Sequence, residues 1–181
     1  SAVLYENSSA ILYENSSADG YGNSQIVNQT NGKISVFGNA RIVFMPKTIY
    51  EFMDFHGIKH DNKKAIFYKA VHKDKNGVYF SDYNNNFIYK IGEVVEEECD
   101  TDVEEGCSNG IHISTQNWAL DFGKSWGDLA ILELETDIDK IVLPKNSDGK
   151  VRTSEAKVLR EVPLKECGLY GKILAKRKGR K

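Results

Sequence analysis

The chain has 181 residues, 40% hydrophobic and 10% aromatic, enough apolar material for one domain of ordinary size plus a smaller element and too much for a disordered chain. Its formal net charge is -2, but the charge is divided: residues 93–105, EVVEEECDTDVEE, hold eight acids, and residues 175–181, AKRKGRK, hold five bases. No apolar run approaches the roughly 20 residues of a membrane-crossing helix, and no basic stretch followed by an apolar one marks the first residues as a signal.

Three cysteines, Cys99, Cys107 and Cys167, cannot all pair within one chain. That favours free thiols in a reducing, cytoplasmic compartment, although one disulfide plus one thiol fits the same count. Ser1 already lies inside a repeat, so a longer parent with further repeats or a signal is expected.

Residues 2–45 repeat every eight positions: AVLYENSS, AILYENSS, ADGYGNSQ, IVNQTNGK and ISVFGNAR. The first position is Ala2, Ala10, Ala18, Ile26, Ile34 and Ile42, and the third is Leu4, Leu12, Gly20, Asn28, Val36 and Phe44. Residues two apart face one way on a strand, so both columns are predicted to point inward. The sixth position is Asn7, Asn15, Asn23, Asn31 and Asn39, with glycines beside it. Both residue types tolerate turn geometry, so this column marks a turn after each short strand and is also able to stack as a hydrogen-bonded ladder. Such a unit buries nothing alone but does so in stacked copies, which predicts an N-terminal parallel β-solenoid or β-roll over 1–45, two octads per coil. Ordinary antiparallel hairpins are the alternative. Tyr5, Tyr13 and Tyr21 form an outward column, a candidate surface for homo-oligomerisation.

Residues 46–181 are predicted to form an α+β domain with a mixed or antiparallel sheet of about five to seven strands. A helix over about 48–56 starts with Thr48 and Glu51 as a capping box, turns Ile49, Phe52, Met53 and His56 to one face and stops at Gly57. That face is expected to plug the last coil. AIFYKAVH at 65–72 reads as a buried strand, DKNG as a turn into GVYFSDY, and NNNFIYKIGEVV as continued strand. NGIHIS is a strand and STQNWALDFG a helix over about 115–122 with Trp118, Ala119 and Phe122 inward. DLAILELETD, KIVLP, KVRTSEAKVLREV and CGLYGKILA complete a strand-rich remainder.

The runs ENSSA, GNSQI and GNARI, a Pro-Lys-Thr-Ile helix start, a YKAV strand, the C-x-x-G-I-H segment and the V-R stretch together resemble an uncharacterised family encoded by phages and prophages. The resemblance covers most of the chain and implies the two-part architecture and a phage setting. It implies no activity.

FYKAV, SNGIHISTQNWALDF and LAILELETD are similar in order to the ADP-ribosyltransferase fold, in which a cation or His, a Ser-Thr strand and a late Glu surround NAD. That resemblance implies Lys69 as the cation, Ser114 and Thr115 as the Ser-Thr pair, and a carboxylate from Glu133, Glu135 or Glu155, with NAD as cofactor. The chain departs from it twice: Lys69 lacks the planar fork of Arg, and Lys157 stands where the late motif puts its carboxylate.

Other chemistries lack their parts. Cys99, Cys107, His112 and Cys167 have zinc-ligand side chains but no knuckle spacing, and the acidic run lacks the alternating pattern of a calcium loop, so a metal site is not expected. Phosphate-loop, dinucleotide and HExxH motifs are absent. The basic end supports nucleic-acid association only by itself. The expectation is a noncatalytic phage or prophage-type protein, without cofactor or membrane, that displays a binding domain on a β-solenoid for a protein partner. His112 and Ser114 are the candidate binding residues, and an ADP-ribosyltransferase-like enzyme or inactive relative is the alternative.

Overall fold

Each octad of the leader contributes one strand: β1 (Ala2–Leu4), β2 (Ser9–Glu14), β3 (Ala18–Gly20), β4 (Gln25–Thr30), β5 (Ile34–Val36) and β6 (Arg41–Phe44). The computed structural model describes residues 1–30, 32–44, 46–84, 86–145 and 147–178, and at 13, 14, 28–30, 44, 177 and 178 the backbone alone. Two units result, Ser1–Lys47 and Thr48–Lys181.

In the first unit the odd strands form one parallel sheet, β1-β3-β5, and the even strands another, β2-β4-β6. Partners lie 16 residues apart: Ala2 faces Ala18 and Ala18 faces Ile34, while Ala10 faces Ile26 and Ile26 faces Ile42. The hairpin alternative is therefore excluded. A tight turn cannot join parallel neighbours, so each intervening strand serves as the return path. Leu4, Leu12, Ala18 and Ile26 are buried together, with Ala2, Ala10 and Ile34 packed against them, as the two apolar columns require. Val36 departs from the expectation: on the edge strand β5 it is 39% exposed.

The columns also stack. Asn39 donates to Asn23 at 3.3 Å and Asn23 to Asn7 at 3.4 Å, an amide ladder that links every second octad. The aromatic column divides the same way: Tyr21 stacks on Tyr5 and on Phe37, with ring centroids 5.2 and 4.8 Å apart. The expected side-chain positions of Tyr13, Asn28, Asn31 and Phe44 lie outside the described residues. In alternate octads the turn residue is the one before the Asn: Glu6, Gly22 and Gly38, ahead of Asn7, Asn23 and Asn39, all have φ between 55° and 69°. Gly22 needs its missing side chain, because a Cβ there would lie 3.1 Å from the Glu6 backbone.

The second unit consists of α1 (Ile49–His56), β7 (Lys64–Lys73), β8 (Tyr79–Phe80), β9 (Ile88–Tyr89), β10 (Val94–Glu96), β11 (Ile111–Ser114), α2 (Gln116–Phe122), β12 (Leu129–Asp137), β13 (Ile141–Val142), β14 (Lys150–Thr153), β15 (Glu155–Val162) and α3 (Gly168–Lys178). All described pairings in its nine-stranded sheet are antiparallel, in the order β10-β15-β12-β7-β11-β14-β13, with β8 attached to β7 and β9 to β8. Strands β7 and β12 pair over nine residues, from Leu129 opposite His72 to Asp137 opposite Lys64. Both faces of this central pair are covered. Phe67, Val71, Leu132 and Leu134 pack with α1 on one side, and Ala70, Leu129 and Ile131 pack with α2 and α3 on the other.

Three sequence expectations are corrected. The α1 cap is as read, with Glu51 N donating to Thr48 Oγ1 at 3.2 Å and Thr48 N to Glu51 Oε2 at 3.3 Å. Its buried residues Phe52 and Met53, however, belong to the core of the second unit. In α2 the buried residues are Ala119 and Leu120, while Phe122 is 38% exposed. CGLYGKILA is helix rather than strand. Gly171 permits it, since a Cβ there would lie 2.2 Å from the Leu164 carbonyl oxygen. Of the apolar side chains within α3 only Leu174 is fully buried, so the helical period is not visible in the sequence.

The inward assignment in the first unit has a direct check. Ile26 is fully buried, whereas Ile11 points outward at 52% exposure. Ile26→Asp is expected to cost several kcal/mol by burying an unpaired charge, and Ile11→Asp about 0.5 kcal/mol. Thermal unfolding and limited proteolysis of residues 1–47 would distinguish them; equal effects would refute the assignment.

Candidate functional site

The central strand β7 has one edge fully occupied by β12, but its other edge is divided. There β11 contacts it at a single registered pair, Ser114 with Tyr68, and β8 takes over at His72 and Lys73. Between these contacts, at residues 69–71, no strand among the described residues is paired to that edge. A gap in a sheet leaves backbone groups to be satisfied by other means. Lys69 supplies one of them, its Nζ donating to the His112 carbonyl at 2.8 Å.

Two hollows flank the gap and share Lys69, Ser81, Tyr83 and His112. The smaller, about 50 Å³, also has Ser114, Trp118, Phe122 and Lys150 in its wall. The larger, about 320 Å³, is closed by Asn84, Tyr89, Glu97, Cys107 and Asn109 among others. A volume of that size suits a small ligand.

Each wall has a local cause. Thr115 caps α2, accepting from Trp118 N at 3.2 Å, and so fixes the helix whose Trp118 and Phe122 rings stack at 5.2 Å. Lys150 lies 5.5 Å from the centre of the Trp118 ring, whose Nε1 donates to Asp148 at 2.9 Å. Arg152, on β14 opposite His112, is fully buried and holds the acidic segment 97–110 by its backbone. Its guanidinium donates to the carbonyls of Asp100, Asp102 and Glu105. Carbonyl dipoles thus solvate a buried cation, and the loop they belong to forms the rim of the larger hollow.

The electrostatics follow from burial. Lys69 keeps some accessible surface, but its amine sits among enough protein to be desolvated, which lowers its pKa to about 8; the nearby Lys150 pushes the same way and Glu97 and Asp82 oppose. His112 is lowered to about 4 by burial first and then by Lys150 and Lys69, so it is neutral at pH 7, and its Nε2 is buried without a partner. Burial also raises the Tyr89 hydroxyl pKa well above its ordinary value. Next to the gap, His72 lies between Asp82 and Asp128, at 3.0 and 2.8 Å, with Trp126 and Phe80 against its ring faces. Burial opposes its charge, but the two carboxylates outweigh it and raise its pKa.

The sequence-predicted residues are only partly brought together. Lys69, His112 and Ser114 line the gap, though Ser114 is buried and shared between the Tyr68 and Thr115 carbonyls at 3.3 and 3.1 Å. Thr115 is a helix cap. Glu133 and Glu135 face Tyr68 and Ile66 across the β7–β12 ladder, so they stand on the sheet face opposite to Lys69. Both are engaged there, Glu133 by Arg160 at 3.1 Å and Glu135 by Lys64 at 2.5 Å. Glu155 pairs with Lys140 at 2.5 Å. The set implied for NAD chemistry is not assembled. The cysteines also separate: Cys167 is buried against α3, while Cys99 and Cys107 belong to the acidic segment. Among the described residues no three potential ligands gather around a metal position. Sequence reasoning passed over Ser81, Tyr83, Trp118 and Lys150 as site residues. Comparison with protein-family models, curated proteins and solved structures gave no match.

The two histidines give opposite pH responses, each measured from the ordinary value of 6.5. His72 holds its proton more tightly when folded, so its contribution is complete below about pH 6.5 and is lost as pH rises through its folded pKa. His112 holds its proton less tightly, so the unfolded chain gains a proton between about pH 6.5 and 4 and stability falls as pH falls through that window. Urea unfolding should show His72→Gln more destabilising at pH 6 than at pH 9. In His112→Gln the loss of stability from pH 6.5 to 4.5 should be smaller than in the parent. The reverse order in either variant would refute the assignment.

Proposed function

We propose that the protein is a noncatalytic binding protein of the phage or prophage type, in which a short parallel β-solenoid carries an α+β unit that binds at the divided edge of β7. The observation that carries the binding reading is the cleft itself: cationic, aromatic and amide side chains converge on it, and of its two carboxylates Asp82 is held by His72 while Glu97 is exposed on the rim. The octad resemblance supports the phage setting. The 16-residue register, with left-handed turn residues at Glu6, Gly22 and Gly38, supports two octads per coil.

The noncatalytic reading excludes NAD cleavage. Stabilising the oxocarbenium-like sugar requires a carboxylate beside the dinucleotide, and Glu133 and Glu135 point away from Lys69 into ion pairs. Incubation with labelled NAD, alone and with cell lysate, is expected to release no nicotinamide and transfer no label. Release that vanishes in Ser114→Ala, Glu133→Ala, Glu135→Ala or Glu155→Ala would overturn this reading and identify the catalytic group.

The solenoid reading has its own test. Deleting residues 10–25 removes one whole coil and leaves every later strand in its sheet, so cooperative unfolding of the first unit should persist. Deleting residues 10–17 moves each later strand to the other sheet and shifts the left-handed turns out of phase, which should abolish that transition. Equal tolerance of the two deletions would refute a two-octad coil.

A further inference from the structure

We infer that the divided edge of β7 is a binding site for a small organic anion, its carboxylate or phosphate seated between Lys69 and Lys150 and its planar apolar body on the Trp118–Phe122 side. The inference deepens the binding reading above and rests on it.

The cations of the second unit divide into two groups. Lys64, Lys73, Lys90, Lys124, Lys140, Lys145 and Arg160 each hold a carboxylate within 4 Å. Among the described cations without one, Lys59, Lys63, Lys75, Lys157, Lys165, Lys172 and Lys176 are exposed to water and Arg152 is met by carbonyls, whereas Lys69 and Lys150 are half-buried and line one hollow. A charge turned into a recess without a counter-ion is costly unless a ligand completes it. Two acids act on Lys69 from nearby. Asp82 lines the same hollow, where it is held by His72 at 3.0 Å, and Glu97 is exposed in the wall of the other hollow. A second group also waits for a partner, the buried Nε2 of His112, which is able to meet a polar atom of the same ligand.

The body of the ligand follows from the opposite wall. Trp118 and Phe122 stack with an interplanar angle of 17°, and Ala70 and Ile113 complete an apolar surface beside the two amines. Flat rings set against cations favour a ligand with a charged end and a planar end over either part alone. Because Lys69 titrates near pH 8, an anion held by it also stabilises its proton.

The experiment uses the full chain, with fluorescence of its two tryptophans as the signal, and phenyl phosphate and benzoate as probes beside inorganic phosphate and benzyl alcohol. Saturable binding of phenyl phosphate or benzoate is expected, at least about tenfold tighter than for the ring or the anion alone, weakened about tenfold or more in Lys69→Met and in Lys150→Met, and partly restored in Lys69→Arg. Calorimetry at pH 8 in buffers of different ionisation heat should show uptake of about half a proton, absent in Lys69→Met. Circular dichroism of each variant establishes that it is folded. Binding indifferent to both lysine substitutions, or no saturable binding of either probe, would overturn the anion site. Neither result would touch the noncatalytic reading, which fails only on NAD cleavage or label transfer.

Discussion

A β-strand has two edges, and successive residues direct their N–H and C=O groups alternately to one and to the other, so both edges need partners. In β7 one edge is satisfied by β12 along nine residues, while the other is shared between β11 at Tyr68 and β8 at His72. The geometry of the second unit depends on that division. The two partners approach from different parts of the chain, so the sheet opens between them. Lys69 reaches over to the His112 carbonyl, and the loop after β8 brings Ser81 and Tyr83 to the same opening. A cleft in the middle of a sheet is costly in unpaired backbone and buried charge. Positions that violate packing rules in this way are where function concentrates.

The first unit solves a different problem. Strands of three to six residues are too short to stand as an isolated sheet, and its core holds little beyond Leu4, Leu12, Ala18 and Ile26. Stacking compensates, because the alternate octads at residues 5–7, 21–23 and 37–39 align amide, ring and left-handed turn 16 residues apart. The period of the structure is therefore twice that of the sequence. The octad sets side-chain direction, and alternate octads use the pattern on different sheets.

The difference between what the sequence revealed and what it hid follows from the range of each interaction. The octad columns, the Thr48–Glu51 cap and the apolar LAILEL run were legible because the relevant neighbours are close in sequence or repeat at a fixed interval. Lys69, His112 and Ser114 were legible as candidates, but the face to which Glu133 and Glu135 belong depends on the register with β7, which no local pattern encodes. Helix α3 was hidden because its packing depends on one close approach, Gly171 against Leu164, and its exposed Leu169 and Ile173 disguise the buried Leu174. Arg152 left little signal, since in KVRT it sits between Val151 and Thr153 with a second cation, Lys150, on the same strand. Its partners, the carbonyls of a loop some 50 residues earlier, could not be read.

Arg152 grips that loop through main-chain oxygens at Asp100, Asp102 and Glu105. Every residue type offers the same carbonyl, so these three bonds set no demand on side-chain identity. The acids themselves divide. Asp100 and Asp102 brace the loop, accepting from Asp102 N, Ser108 Oγ and Glu104 N, and Glu104 pairs with Lys145. Glu97, Glu98 and Glu105 instead turn exposed side chains to water. Charge at those three positions can change, even in sign, while the rim keeps its form, so what approaches the cleft is adjustable apart from the acids that shape it.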